Sequence, residues 1–336
     1  MPAEANDFAG RLRELYVREP RNPILKPEDM PMPCKAVCNP GAVEFEGDVL
    51  LLLRVIGHDD HSTLVVARSQ NGVTDWRIEE EPLLKAEHWY DEWGCEDPRV
   101  TWMEDRQQFV IVYVGYSRFG AGVCLATTED FKTATKLGMA IHPYNKDAAL
   151  LPERIDGKYR LFHRPTMGRF EDIWVSESED LIHWGMPFNV MQQSDRPGWQ
   201  GGKIGCGPPP FMGGEDWVMV YHGVERADDH WVYRVGMAAL QRDAPQNVVR
   251  AWPEWVFGPQ EPYEFDDRGQ GIVFPTGQVH RDGKLMLYYG AGDRSVALVT
   301  ASLEGLRQVG HDILQTEAPA PAQPGGFHEN RPEERK

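Results

Sequence analysis

The sequence predicts an all-β protein: a five-bladed β-propeller with a short helix at its N-terminus and an unstructured tail at its C-terminus. Three observations predict it. Short apolar runs broken by Gly, Asp, Asn and Pro replace helical periodicity almost everywhere after residue 17. Five of these runs are alike, starting at Val49, Phe109, Tyr159, Trp217 and Leu285, 50–68 residues apart. Each follows a polar turn (EGD, EDRQQ, IDGK, GGED, RDGK) and precedes a second run, from Thr63, Ala121, Asp172, Tyr233 and Ser295. A loose repeat of about four short strands per unit is the signature of propeller blades.

Taken in order, residues 5–17 place Phe8, Leu12, Leu15 and Tyr16 at helical spacing, which predicts the short helix. The five repeats follow, several closed by a turn ending in an aromatic residue (NGVTDW, EDF, EDLIHW). No linker composition divides residues 1–315, so they form one domain. Residues 316–336 are rich in Pro, Ala and charge, which predicts a flexible tail.

Composition narrows the function. The 336 residues carry 52 acidic and 35 basic side chains, a formal charge of −17. Nucleic acid calls for a basic surface, so it is excluded as a partner, whereas a neutral substrate such as a sugar is not repelled. No apolar run approaches the roughly 20 residues that span a bilayer. The opening MPAEANDFAGRLREL lacks the apolar core of a secretory signal. Five scattered cysteines (Cys34, Cys38, Cys95, Cys124, Cys206) show no paired CxxC elements, which argues against a zinc site or a disulfide framework. Reduced thiols in a cytoplasmic protein are expected.

Polar motifs stand before or at the ends of the apolar strands, where a propeller would gather them at one funnel. They are CNPGAV at 38–43, WGCEDPRV at 93–100, NKDAALLPE at 145–153 leading to FHRP, WQGGKIGCGPPPF at 199–211 leading to VYHG, and FPTGQV at 274–279 leading to YYGAGD. In EDPR, strand alternation turns Glu96 and Asp97 to opposite faces and Pro98 limits ladder pairing. One carboxyl could then face the funnel while Arg99 holds the strand end. A carboxylic acid shielded from water has a raised pKa and can donate a proton; a surface Asp–Arg pair is the equal alternative. Lys203 sits rigidly in a Gly/Pro frame suited to an anion, Arg164 ends a strand where a guanidinium could grip phosphate or carboxylate, and Lys146 is a third cation. A solvated lysine and an ion-paired arginine are the plainer readings of each. Trp89, Tyr90, Trp93, Trp199, Trp217, Trp231, Trp252 and Trp255 make the chain dense in aromatic rings, which stack on sugars but mostly serve packing. No His, Asp or Glu cluster has metal-ligand spacing.

NPGA, WGCEDPRV, KDAALLPE…GKYRLFHRP, KIGCGPPP with YHG, and FPTG with YYGAGD together resemble glycoside hydrolase family 130, from about Asn39 to Leu306. The resemblance implies a five-bladed propeller, and an inverting β-mannoside phosphorylase that yields α-mannose 1-phosphate; an inverting β-mannosidase on the same fold is the alternative. It implies Asp97 as the general acid, protonating the glycosidic oxygen through a mannose hydroxyl. Arg164, Lys203, Lys146 and His222 fall on phosphate positions, and Asn39, Arg99, Tyr221 and Asp293 on sugar-binding ones, Tyr221 and His222 lining phosphate or sugar. Inorganic phosphate is the co-substrate, with no other cofactor. A hydrolase would need a carboxylate base to activate water, and Glu261 and Glu264 in GPQEPYEFDD are the acids to watch, although an exposed acidic loop is the plainer reading. A non-catalytic carbohydrate-binding propeller is a third possibility, and a homo-oligomer is open.

Overall fold

Near-continuous aliphatic runs cannot present one wet face, so strands built from them have to be covered on both sides. The computed structural model describes residues 10–314, Asp228 and Pro253 excepted, and shows this arrangement in an all-β fold with few helices. Five antiparallel units follow one another. The first comprises Ala36–Phe45, Asp48–Ile56, Ser62–Ser69 and Arg77–Ile78. The second comprises Gly94–Met103, Gln108–Ser117, Gly120–Thr128 and Thr135–Ile141, and joins the first through a parallel bridge, Ser62 to Gly94. The third holds Asn145–Leu150, Tyr159–Pro165, Ile173–Ser178 and Gly185–Met191. Lys203–Cys206, Trp217–Ala227, His230–Leu240 and Val248–Ala251 form the fourth, with Phe211–Met212 beside them. The fifth holds Val273–Arg281, Lys284–Ala291 and Ser295–Ser302, and its outer place is taken by Val17–Arg18 from the other end of the chain.

The core is divided between the units. Leu50, Leu52 and Leu64 of the first unit pack on Ile111, Tyr113 and Cys124 of the second. Val110, Val112 and Leu125 of the second pack on Leu150 and Leu161 of the third. Phe162 and Val175 meet Met219, Tyr221 and Ala238 of the fourth, and Val220 and Val235 meet Leu285, Leu287 and Tyr289 of the fifth. The fifth unit packs back on the first, with Val279, Tyr288 and Leu298 against Val37, Leu51 and Val65. The interior strands therefore bury both faces, which is why they read as runs and not as alternation.

The segments read as lead-ins to the repeats (NPGA, EDPRV, NKDAAL, KIGC, FPTG) are themselves the first strand of each unit. At their far ends, residues of all five units, including Phe45, Trp102, Pro152, Phe211 and His280, line one cavity of about 740 Å³.

The N-terminal helix covers 10–15 of the expected 5–17; residues 5–9 lie outside the described residues, as does the whole 316–336 segment. Leu12 and Tyr16 bury against Val235, Met237 and Leu306. A second helix, Leu303–Leu314, is absent from the sequence reading. Gly305 and Gly310 lower its intrinsic propensity, and packing of Leu306 supplies what propensity lacks. No helix among the described residues is long and apolar enough to cross a membrane. All five cysteines are free.

Glu264 corrects one expectation. It lies fully buried, not on an exposed acidic loop and not in a position to activate water. Its carboxylate takes Arg18 Nε and Nη2, each at 2.8 Å, Tyr289 Oη at 2.7 Å, and the backbone N–H groups of Gln260 and Glu261. It therefore fastens the N-terminal strand to the fifth unit; Glu261 alone stays exposed. Glu264→Ala removes the carboxylate from Tyr289 and from Arg18, whose charge then keeps only the neutral acceptors Gln260 Oε1 and the Gly258 carbonyl. A loss of about 3 kcal/mol in urea unfolding is expected, as for other broken buried ion pairs.

Candidate active site

A polar side chain on the first strand of a unit faces its neighbours only if the backbone re-aims it. Three of these strands do so with a β-bulge: register slips between Cys38 and Gly41, between Glu96 and Arg99, and between Lys146 and Ala149. Each bulge contains a residue in the left-handed region: Asn39 at φ 46°, Asp97 at φ 46° and Asp147 at φ 50°. Asn and Asp are the non-glycine residues that tolerate this conformation best. The fifth strand slips at Pro275–Gly277 around the buried Thr276.

Asp97 is 3% exposed. Its Oδ1 accepts from Asn39 Nδ2 and from Arg54 Nη1, both at 2.8 Å. Arg54, cross-strand partner of Cys38, also donates Nη2 to Glu96 Oε1 at 2.7 Å and Nε to Ser62 Oγ at 3.0 Å. Sequence reasoning missed Arg54, although a lone charge inside the apolar run VLLLLRVI was the available signal. Arg99 is fully buried and donates to three backbone carbonyls, Asp97 at 2.7 Å, Cys206 at 3.1 Å and Gly207 at 3.2 Å. It ties the second-unit bulge to the end of the fourth-unit strand.

The four basic groups named from the sequence come together. Lys146 and Arg164 face each other across the strands of the third unit. Arg164 Nη2 meets Asp147 Oδ2 at 2.6 Å, and its Nη1 pairs with Glu171, a residue sequence reasoning did not single out. His222, opposite Gly205, brings Nε2 to 3.4 Å from Asp147 Oδ2 and packs on Phe274 with ring centres 4.7 Å apart. Lys203 Nζ lies 5.3 Å from the ring centre of Tyr233 and 5.6 Å from that of Trp231. Several polar atoms here are buried with no hydrogen-bond partner among the described residues: both His222 nitrogens, Arg164 Nε and Asn39 Oδ1. Buried groups of this kind are normally satisfied, so the cluster is shaped for something further.

The electrostatics correct the sequence reading of Asp97. Burial pushes its carboxyl up, but Arg54, Lys146, Arg99 and the Asn39 hydrogen bond together outweigh burial and hold it below the usual carboxylate range. The raised carboxyls are its neighbours: Glu96, by burial, with Asp97's charge adding to it, and Asp293, by the crowding of protein around it and then by Asp97. Asp293 occupies the turn after Ala291 and keeps an exposed surface, so it marks the open side of the cluster. Burial lowers Lys203, and the like charge of Arg164 adds to it. Burial likewise lowers His222 to about 4, which leaves it neutral at pH 7.

Tyr221 does not join the cluster. It is buried in the packing between the third and fourth units, its ring stacked 5.6 Å from that of Trp199 and its hydroxyl accepting from Gln200. Strand alternation points it away from the side that His222 faces. The tyrosine near the cations is Tyr233, pushed up to about 12 by burial and then by Asp293, and electrostatically coupled to Arg164 as well.

Comparison with known proteins decides the family. The family described as beta-1,4-mannooligosaccharide phosphorylase matches residues 4–310. The chain belongs to glycoside hydrolase family 130. Within that family, it is 32% identical over 252 residues to a beta-1,2-mannobiose phosphorylase of Thermoanaerobacter sp., covering 73% of this chain and 79% of the relative. It is 29% identical over 306 residues to a beta-1,4-mannooligosaccharide phosphorylase of Ruminococcus albus, covering 87% and 90%. Among solved structures, the beta-1,2-mannobiose phosphorylase from Listeria innocua, in complex with beta-1,2-mannobiose, superposes with a TM-score of 0.79 at 26% identity, covering 88% of this chain and 98% of that one.

Proposed function

We propose that this chain is an inverting β-mannoside phosphorylase. It cleaves a non-reducing-end β-mannosyl linkage with inorganic phosphate, giving α-mannose 1-phosphate and a shortened sugar. The observation that carries the reading is the gathering of Lys146, Arg164, Lys203 and neutral His222 beside the carboxyl pair of Asp97 and Glu96. Phosphate is already an anionic nucleophile and needs no base, but it needs fixed cations to hold it near carboxylates. The names of the family relatives support the same class; which linkage this chain prefers belongs to the test.

In this reading phosphate rests among the four basic groups, and an oxygen of it forms a bond to C1 while the C1–O bond to the leaving sugar breaks on the opposite face. The leaving oxygen takes a proton that originates on Asp97, relayed by a mannose hydroxyl. Asn39 and Asp293 hold the mannosyl ring. Arg99 keeps the Asp97 bulge in place and is a positioning residue. The free protein holds Asp97 ionised, so the acid must be charged with its proton on ligand binding. A phosphate dianion near Lys146 cancels part of the positive field on Asp97 and raises it, which couples loading of the acid to arrival of the nucleophile.

The five units, each packed on the next and the fifth on the first, support a five-bladed propeller as the scaffold. The first strands then line its axis, and the fifth unit, completed by Val17–Arg18, joins the two ends of the chain.

Turnover of β-1,2- and β-1,4-mannobiose, measured with and without phosphate, tests the activity. Strict dependence on phosphate is expected; equal rates in its absence would assign a hydrolase.

Glu171 tunes the same site. It occupies Arg164 in the absence of phosphate and weakens the net positive charge. Glu171→Gln is therefore expected to lower the KM for phosphate by roughly threefold to tenfold, with the KM for the mannoside unchanged. Steady-state kinetics with each substrate varied in turn checks it.

A further inference from the structure

On the loop that leads into the Asp97 strand and on the turns packed against it, the structure exposes a strip of large aromatic rings that the reaction does not use. Trp89 is 61% exposed, Trp93 41%, Tyr116 40%, Phe119 53% and Tyr144 47%. The rings touch in pairs: Trp93 and Tyr116 have centres 5.5 Å apart, and Trp89 and Phe119 5.8 Å. The Tyr144 ring lies against Gly120, in the turn that carries Phe119. Solvent-facing rings at this density are costly to leave uncovered, and on a soluble surface they mark a binding site.

The backbone beneath them is fixed. Asp91 is fully buried and accepts from the backbone N–H groups of Glu87 and His88, at 3.0 and 2.8 Å, and from Lys136 Nζ at 2.6 Å. Glu92 takes the guanidinium of Arg118 with both oxygens, at 2.7 and 2.6 Å, and its backbone N–H at 2.9 Å. Trp93 N–H donates to the carbonyl of Tyr116. The loop 86–93 and the turn 117–120 are thus locked together, so a ligand stacking on them meets no ordering cost in the backbone.

The strip is close to the reacting groups along the chain. Trp93 lies four residues before Asp97 and Tyr144 two residues before Lys146, at most about 13 Å along an extended chain. We propose that these rings form a platform for the sugars of a β-mannooligosaccharide that lie past the first acceptor unit, so that the preferred substrate is longer than a disaccharide. This rests on the carbohydrate reading of the site. Aromatic faces hold the C–H surfaces of neutral sugars, and a sugar chain entering the cluster from this side passes over them. A second protein docked here would cover that approach, which favours the sugar as occupant.

The test is isothermal titration, in the absence of phosphate, of the Asp97→Asn protein with mannobiose and mannotetraose of β-1,2 and β-1,4 linkage. For the accepted linkage, the tetraose is expected to bind roughly tenfold more tightly than the biose. Adding Trp93→Ala and Trp89→Ala is expected to erase that difference and leave biose affinity within twofold. Biose binding with no gain from length, or equal weakening of both ligands by the Trp substitutions, overturns the platform and leaves the reading of the site intact. Failure to bind either sugar at all defeats the carbohydrate reading and the platform with it. Sedimentation of the same proteins separates the remaining occupant: a particle mass that falls on Trp93→Ala assigns the strip to a second copy of the chain and overturns the proposal.

Discussion

Asp97→Asn is expected to lower kcat for mannobiose phosphorolysis by roughly 10³-fold, the scale of losing a general acid. The substitution is geometrically mild. The oxygen that accepts from Asn39 and Arg54 at 2.8 Å can be retained by the amide, so the bulge and substrate binding survive. What is lost is the group that can carry a proton to the leaving sugar. The comparison that matters is kcat against affinity: kcat falls while the dissociation constant for mannobiose stays within a few fold. A kcat within tenfold of the parent would mean that another carboxyl supplies the proton, and Glu96 and Asp293, whose carboxyls the surroundings raise, are the groups to examine next.

Lys203→Ala carries the second large effect, on the other substrate. Lys203 has no carboxylate partner within ion-pair distance among the described residues; its ammonium faces the Tyr233 and Trp231 rings. Its charge is available to an incoming anion in a way that Arg164's, shared with Asp147 and Glu171, is not. The KM for phosphate is expected to rise roughly 10²-fold, as for loss of a desolvated charge partner, with the KM for mannobiose nearly unchanged. A pH profile adds a sign. Burial and Arg164 lower the Lys203 ammonium; it is charged below its pKa and neutral above. Phosphate affinity therefore falls as pH rises through a value below the ordinary lysine range. Lys203→Arg, whose guanidinium stays charged, is expected to move that alkaline limb upward. A phosphate KM that ignores both substitutions would remove Lys203 from the anion site.

The hairpins were legible because the second strand of each unit is buried on both faces over most of its length and leaves an apolar-rich run. The first strands were not. Asn39–Pro40 and Asp97–Pro98 interrupt them with bulges that look like loops in sequence, although those bulges aim Asn39 and Asp97 at their neighbours. The cations Lys146, Arg164 and Lys203 were legible as residues, and only the fold could show that they converge. Arg54 and Glu171 were hidden for opposite reasons: one lies inside a strand dominated by leucine, the other in an ordinary-looking loop. Tyr221 and His222 are adjacent in sequence, and alternation sends one to the core and the other to the cluster. Tyr233, and not Tyr221, is the tyrosine that lies near the cations. The helix expected over 5–17 overlaps the Val17–Arg18 strand by one residue, since two residues pairing with Thr300 and Val299 leave no periodicity to detect.

The most direct test of the central claim, an anion held opposite a proton donor at one mannosyl carbon, is ³¹P and ¹H NMR of the first product formed from mannobiose in phosphate buffer. The geometry predicts α-mannose 1-phosphate, one molecule for each bond cleaved. Free mannose as the first product in the presence of phosphate, or mannose 1-phosphate of the β configuration, would contradict it.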